Sequence, residues 1–142
     1  RSGHFAAMTQ NLDPMLAPDA ALAAPAERPA WPAIRKGMRH RCPNCGEGAL
    51  YEKYLKLNTS CSVCGEDLSR ARADDGPAYM SILVTAHVMG SLQLLIYELY
   101  QPSAWFMAVS FSIGVVIMAL ALLPRFKGLI VGVQWAKRMH GF

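Results

Sequence analysis

The chain's 142 residues leave room for one modest domain, and its net charge of +4 averages three unlike regions. An Ala/Pro-rich start, a polar stretch holding every cysteine, and an apolar half from Ala78 onward follow one another. A charge so unevenly spread is no nucleic-acid signal by itself. No nucleophile–base pair, phosphate-binding loop or paired acid and base marks an enzyme.

Residues 1–7, before Met8, read as an upstream start or a fusion remnant. The following "MLAPDAALAAPAERPAWPA" has the small residues of a signal peptide. It lacks a basic start, however, Asp13 lies just before it, and Asp19 interrupts its apolar content. Residues 1–34 are therefore expected to be a disordered tail, because they offer too little apolar surface to offset the entropy of ordering.

Residues 35–73 carry Cys42-x-x-Cys45-Gly and Cys61-x-x-Cys64-Gly, with a gap of fifteen residues between the pairs. Two thiolates separated by two residues can curl around one ion. Gly46 and Gly65 permit the turn that aims backbone N–H groups at the sulfurs. Two such knuckles close a tetrahedral site, and the intervening "ALYEKYLKLNTS" has the residues of a short β-hairpin. The expectation is a small β zinc ribbon held by Cys42, Cys45, Cys61 and Cys64. Iron ranks second, because Ser62 stands where a rubredoxin-like site usually has proline. A redox dithiol pair ranks below both. The basic Arg35, Lys36, Arg39, His40 and Arg41 are expected to face anionic lipid or an acidic protein surface rather than nucleic acid.

Residues 74–124 are expected to form a two-helix transmembrane hairpin. Pro77–Tyr100 contains no Lys or Arg, Trp105–Pro124 contains no charge, and each is about the ~20 residues that cross a bilayer. Asp74, Asp75 and Pro77 mark the first helix start, "QPSA" a tight turn, and Pro124 the end of the second helix. The turn lacks Lys and Arg while the outer flanks carry them, which places both termini in the cytoplasm. In that reducing compartment, four cysteines favour metal over disulfides. Ala86-xxx-Gly90 and Ser110-xxx-Gly114 offer small faces for helix contact. His87, Ser91 and Glu98 fall within about 40° on one helical stripe. Glu98 lies near the far interface. His87 lies near mid-span and reads either as a hydrogen bond to the second helix or a partner, or as a ligand for haem or copper or a proton relay.

Residues 125–142 are expected to be an amphipathic helix on the inner membrane surface. Phe126, Leu129, Ile130, Val133 and Ala136 share one face, Lys127, Gln134 and Arg138 another. Arg125, Lys127, Lys137 and Arg138 are its membrane-surface cations.

The segments "RCPNCGEGALYEKYLK", "CSVCGEDLS", "RADDGPAYMSILVTAHV" and "LLPRFKGLIVGVQWAKRMHGF" together resemble a family of small bacterial membrane proteins, the domain of unknown function numbered nine hundred eighty-three. The resemblance runs from about Arg39 to Phe142. It implies zinc ligation by the four cysteines, an inner-membrane location and a membrane histidine, His87, of unknown role. Family members are often encoded near cytochrome c oxidase subunits and assembly factors, which implies a part in oxidase biogenesis. The expected function is thus a non-enzymatic zinc-ribbon interaction or assembly factor. Its expected partners are membrane lipid and a membrane protein, with no nucleic acid. The alternatives are a haem- or copper-handling factor using His87 and a membrane-tethered nucleic-acid-binding ribbon.

Overall fold

The structure, a computed structural model, describes residues 28–142. Of the tail expected over residues 1–34, residues 1–27 lie outside the described residues, and Ala30–Ile34 are helical instead. Three α-helices follow in order: α1 (Ala30–Met38), α2 (Gly76–Tyr100) and α3 (Ala104–Ala136), with a short 3-10 turn at Met139–Gly141.

α2 and α3 form the expected antiparallel hairpin. Each is long and apolar enough to cross a membrane. Only 11% of the most apolar window of each is buried. A core helix of a water-soluble fold would be covered, so these apolar sides are built to face lipid or another protein. Gln101 closes α2 in the left-handed conformation, and Ser103 caps α3 by accepting from the Phe106 N–H at 3.4 Å. Asp75 occupies the N-cap of α2, but its carboxylate makes no capping bond.

The seam between the two helices differs from the expected one. Ser81 and Thr85 are buried against α3, and the Ser81 hydroxyl donates to the Ala119 carbonyl at 3.3 Å. Gly114 is used as expected: a Cβ there would sit 2.6 Å from the methyl of Met89. Gly90 has nothing within 4 Å of a Cβ, and Ala86 is exposed. The seam runs through 81, 85 and 89, one turn apart each time, and Ala86 lies about 100° off it.

α3 does not end at Pro124. It runs on to Ala136, and its 33 residues are about 50 Å long, against about 30 Å of hydrocarbon. Proline removes one N–H and crowds the carbonyl four residues back, here that of Leu120. The missing donor is replaced from outside the helix. The Tyr54 hydroxyl donates to the Leu120 carbonyl, and the Tyr51 hydroxyl donates to the Pro124 carbonyl at 2.7 Å. Three residues further on, the Lys127 ammonium donates to the Leu55 carbonyl at 2.9 Å.

The last three turns of α3 are therefore a post inside a folded head, not a separate helix lying on a membrane. Gly128, Val131, Gly132, Gln134, Trp135 and Ala136 are buried there. α1 covers one side. It runs across the boundary expected between tail and ribbon, because Pro29 and Pro32 fall at and just inside its start, where their missing N–H groups are harmless. Ala33 and Gly37 of α1 lie on Gly132 and Gly128 of α3. A Cβ on Gly132 would sit 2.7 Å from the Ala33 carbonyl oxygen, and one on Gly128 would run into the Gly37 carbonyl. Such backbone-to-backbone contact needs small residues four apart on both helices. Arg28 completes this side, its guanidinium 4.5 Å over the Trp135 ring and donating to the Trp135 carbonyl at 3.1 Å.

The other side of the post is held by Gln134, expected on the polar face but buried. Its amide oxygen accepts from the Arg72 N–H at 3.0 Å and its amide nitrogen donates to the Arg72 carbonyl at 2.5 Å. That is a strand-like pair of bonds made by a side chain. The expected β-hairpin is reduced to isolated antiparallel bridges, Arg41 with Ala49, Tyr51 with Leu57 and Ser60 with Asp67. No strand forms among the described residues, because the segment between the knuckles turns its tyrosines onto α3.

The capping of Leu120 is testable by a double-mutant cycle. Tyr54→Phe removes the donor and is expected to destabilise the chain by about 1 kcal/mol. Pro124→Ala restores a backbone N–H to Leu120, so Tyr54→Phe should cost measurably less in that background. Equilibrium unfolding in detergent reads both. Equal costs in the two backgrounds rule out the capping account.

Candidate metal centre

The two knuckles are built alike. In the first, the Gly46 N–H donates to the Cys42 carbonyl at 2.9 Å. In the second, the Gly65 N–H donates to the Cys61 carbonyl at 3.0 Å. Both turns need a left-handed residue, and Gly46 and Gly65 stand there with φ of 83° and 72°. The Cys42 N–H donates to Gly48 at 2.8 Å and the Cys61 N–H to Glu66 at 2.9 Å, closing each loop at its base.

The four sulfurs converge. Cys42 Sγ lies 3.7 Å from Cys64 Sγ, and Cys45 Sγ lies 3.7 Å from Cys61 Sγ. All four fall within 4.8 Å of one another. A bonded disulfide would need about 2.05 Å. Four sulfurs at about 2.3 Å from a central ion would be about 3.8 Å apart along a tetrahedral edge, close to the spacing of these pairs. The donor set thus fits one tetrahedrally held metal ion.

The surroundings fit it as well. The Glu47 N–H donates to Cys45 Sγ at 3.4 Å, and the Asn44 amide reaches Cys64 Sγ at 3.7 Å and Glu66 at 3.0 Å, tying one knuckle to the other. Lys36 donates to the Asn44 carbonyl at 2.6 Å and Arg41 to the Glu47 carbonyl at 2.8 Å. A Cβ on Gly48 would collide with Cys61 Sγ, so that close approach depends on glycine. Beneath the sulfurs, Leu50, Leu68 and Val131 are fully buried, which joins the site to the α3 post.

The thiols differ in acidity. Burial pushes Cys42 up to about 12, against the backbone N–H groups that favour its thiolate. The backbone N–H groups of Gly48 and Glu47 bring Cys45 down to about 6. At Cys61 burial opposes ionisation, but the N–H groups of Cys64 and Val63 win and its pKa is lowered. One thiol thus holds its proton until a metal displaces it, while Cys45 is ionised near neutral pH.

The other residues singled out in the sequence lie elsewhere. His87 is exposed on α2, with Nδ1 2.8 Å from the Leu83 carbonyl one turn back, not bonded to α3. Glu98 is exposed near the α2 end. Neither belongs to the metal-capable group found among the described residues. Of the expected membrane-surface cations, Lys127 is half-buried and holds Leu55, whereas Arg125 folds back to the Ala121 carbonyl at 2.8 Å. Lys137 and Arg138 are exposed at the end of the post. Sequence reasoning missed Tyr51, Tyr54, Gly48 and the Gly37–Gly128 contact. For the last, the spacings Ala33-xxx-Gly37 and Gly128-xxx-Gly132 were a readable signal.

Fold and site together define a four-cysteine metal-binding head on a pair of helices suited to a membrane. The chain belongs to the family described as Protein of unknown function (DUF983), whose profile covers residues 51–135. That span takes in the second knuckle, both long helices and the post to Trp135, while the first knuckle lies before it. No curated protein and no solved structure matches the chain.

Metal binding should release protons. Cys42, with its raised pKa, must lose a proton to become a ligand, so affinity is expected to rise with pH. As the pH falls from about 8 to about 5, the thiolates are protonated and the metal is expected to leave. Chelator competition across that range, with proton release followed in weak buffer, measures this. Affinity independent of pH would contradict thiolate ligation.

Proposed function

We propose that the chain is a non-enzymatic inner-membrane protein whose four cysteines hold a structural zinc ion, and whose head is a contact surface for a membrane-protein partner. The observation that carries this reading is the closed set of four convergent sulfurs. Four thiolates fill a tetrahedral shell and leave no open position for a substrate. Cys42, Cys45, Cys61 and Cys64 would hold the ion, which when bound cross-links the two knuckles. Zinc is favoured over iron by Ser62 in the second knuckle. The segment between the long helices has no Lys or Arg, which supports a cytoplasmic head by the positive-inside rule. A part in building the respiratory cytochrome c oxidase comes from the family resemblance.

Metal analysis of the full purified chain should find about one zinc per chain. Crosslinking in native membranes should capture a membrane protein through the head. Iron in place of zinc sinks the metal assignment, and capture without any oxidase component sinks the oxidase assignment.

A second reading, haem or copper handling, is favoured by the Nδ1 contact of His87 with Leu83. That contact fixes the ring and leaves Nε2 as the outward nitrogen, as in histidines that bind metals through one nitrogen. His87→Ala is then expected to lower oxidase haem or copper content in membranes. Unchanged content with unchanged partner capture removes this reading.

A further inference from the structure

A recess lies where the head meets the long helices. It has a volume of about 560 Å³ and opens between the loop at residues 49–54 and α3 at residues 120–125. Its floor is Leu120 and Ala121, the last turn of the charge-free run that begins at Trp105. Its rim carries His40, Lys53 and Arg125, and no carboxylate lines it. Arg125 is the first charged residue after that run.

Among the described residues, the cations Lys53 and Arg125 are held without acidic partners. Arg125 folds one turn back onto the Ala121 carbonyl, which holds its guanidinium over the recess. That bond uses one of the five N–H donors of an arginine. The ion pairs among the described residues are Lys56 with Glu52 and Arg70 with Asp67, and neither Lys53 nor Arg125 takes part in them. The nearest acid in sequence, Glu52, is already paired. The wall is fixed rather than loose: Tyr54 is bonded to Leu120, and the His40 ring meets Tyr51 edge-on at 5.4 Å between centroids.

The recess brings the apolar Leu120 and Ala121, the cations Lys53 and Arg125 and two tyrosines together, the residue types that suit the junction of acyl chain and phosphate at a bilayer surface. We propose that this recess binds the headgroup of one anionic phospholipid, its phosphate between Lys53 and Arg125 and its acyl chains along Leu120 and Ala121. The inference rests on the membrane reading of α2 and α3. It differs from general attraction of a basic surface to anionic lipid, because a built recess holds about one lipid per chain and positions it beside Pro124.

The test uses the metal-loaded full chain in phosphatidylcholine vesicles containing a photoactivatable phosphatidylglycerol or its phosphatidylcholine counterpart. Label from phosphatidylglycerol should map to the peptides around 49–54 and 120–125 and exceed that from phosphatidylcholine. Lys53→Gln with Arg125→Gln should reduce it by on the order of fivefold for each cation removed. Arg125→Lys should keep most of it. Metal content per chain shows whether each variant has kept its fold, and the mapping in the unaltered chain does not depend on them. Equal labelling by the two lipids overturns the proposal, as does undiminished labelling of a folded double variant. Displacement of the label by inorganic phosphate would show that free phosphate is the ligand instead, and overturns it too. A chain extracted from vesicles by alkaline carbonate would refute the membrane reading itself, whereas an inserted chain without lipid preference refutes this inference alone.

Discussion

A proline inside a helix leaves one carbonyl without its donor, and at Leu120 that carbonyl stands at the end of a long apolar run. Left alone, it would favour a kink or an end to α3, and the chain beyond would be free to lie along a surface. The Tyr54 hydroxyl removes the reason to stop. Everything beyond Pro124 depends on that substitution of a side-chain donor for a backbone one. The helix continues past Pro124 to Ala136, and its last turns become the centre of the head.

Around that post the packing is unusual in how little of it is large side chains. α1 is held by glycine and alanine, so that backbones touch and each contact gains dispersion rather than buried bulk. The linker into α2 is held by the buried Gln134, whose amide reproduces two backbone bonds. The knuckles rest on Leu50, Leu68 and Val131. A core of this size is small against the conformational entropy of the loops it orders, which is the condition under which a bound metal decides whether a domain folds.

What could be read from the sequence follows from the range of each signal. The cysteine spacing and its glycines are local chemistry, and the structure brings those four sulfurs together. The long apolar runs are read from composition alone, and both helices are found. Pro124 was misread because its effect is local while its remedy lies some seventy residues earlier, in tyrosines that look like strand formers. Gln134 was placed on a polar face because helical periodicity cannot see that Arg72 offers it a matched backbone edge. α1 was hidden by its composition: alanine, proline and glycine suggest a tail until a second helix with small residues at the same spacing is available to meet them. Gly90 erred in the opposite direction, a small residue with the right spacing but on the wrong side of α2.

The loop that carries Tyr51, Tyr54 and Leu55 is the same loop that separates the two knuckles. Its ends are fixed at Ala49 and Ser60 by the bridges flanking Cys42–Gly48 and Cys61–Glu66, and its middle is bonded to α3 at Leu120, Pro124 and Lys127. Metal ligation at the four cysteines would tighten those ends further, and hydroxyl and ammonium bonds hold the middle. Without held ends, the tyrosines have no fixed position from which to supply the donor that Leu120 lacks. The cysteine cluster and the continuity of α3 past Pro124 are therefore parts of one folding unit.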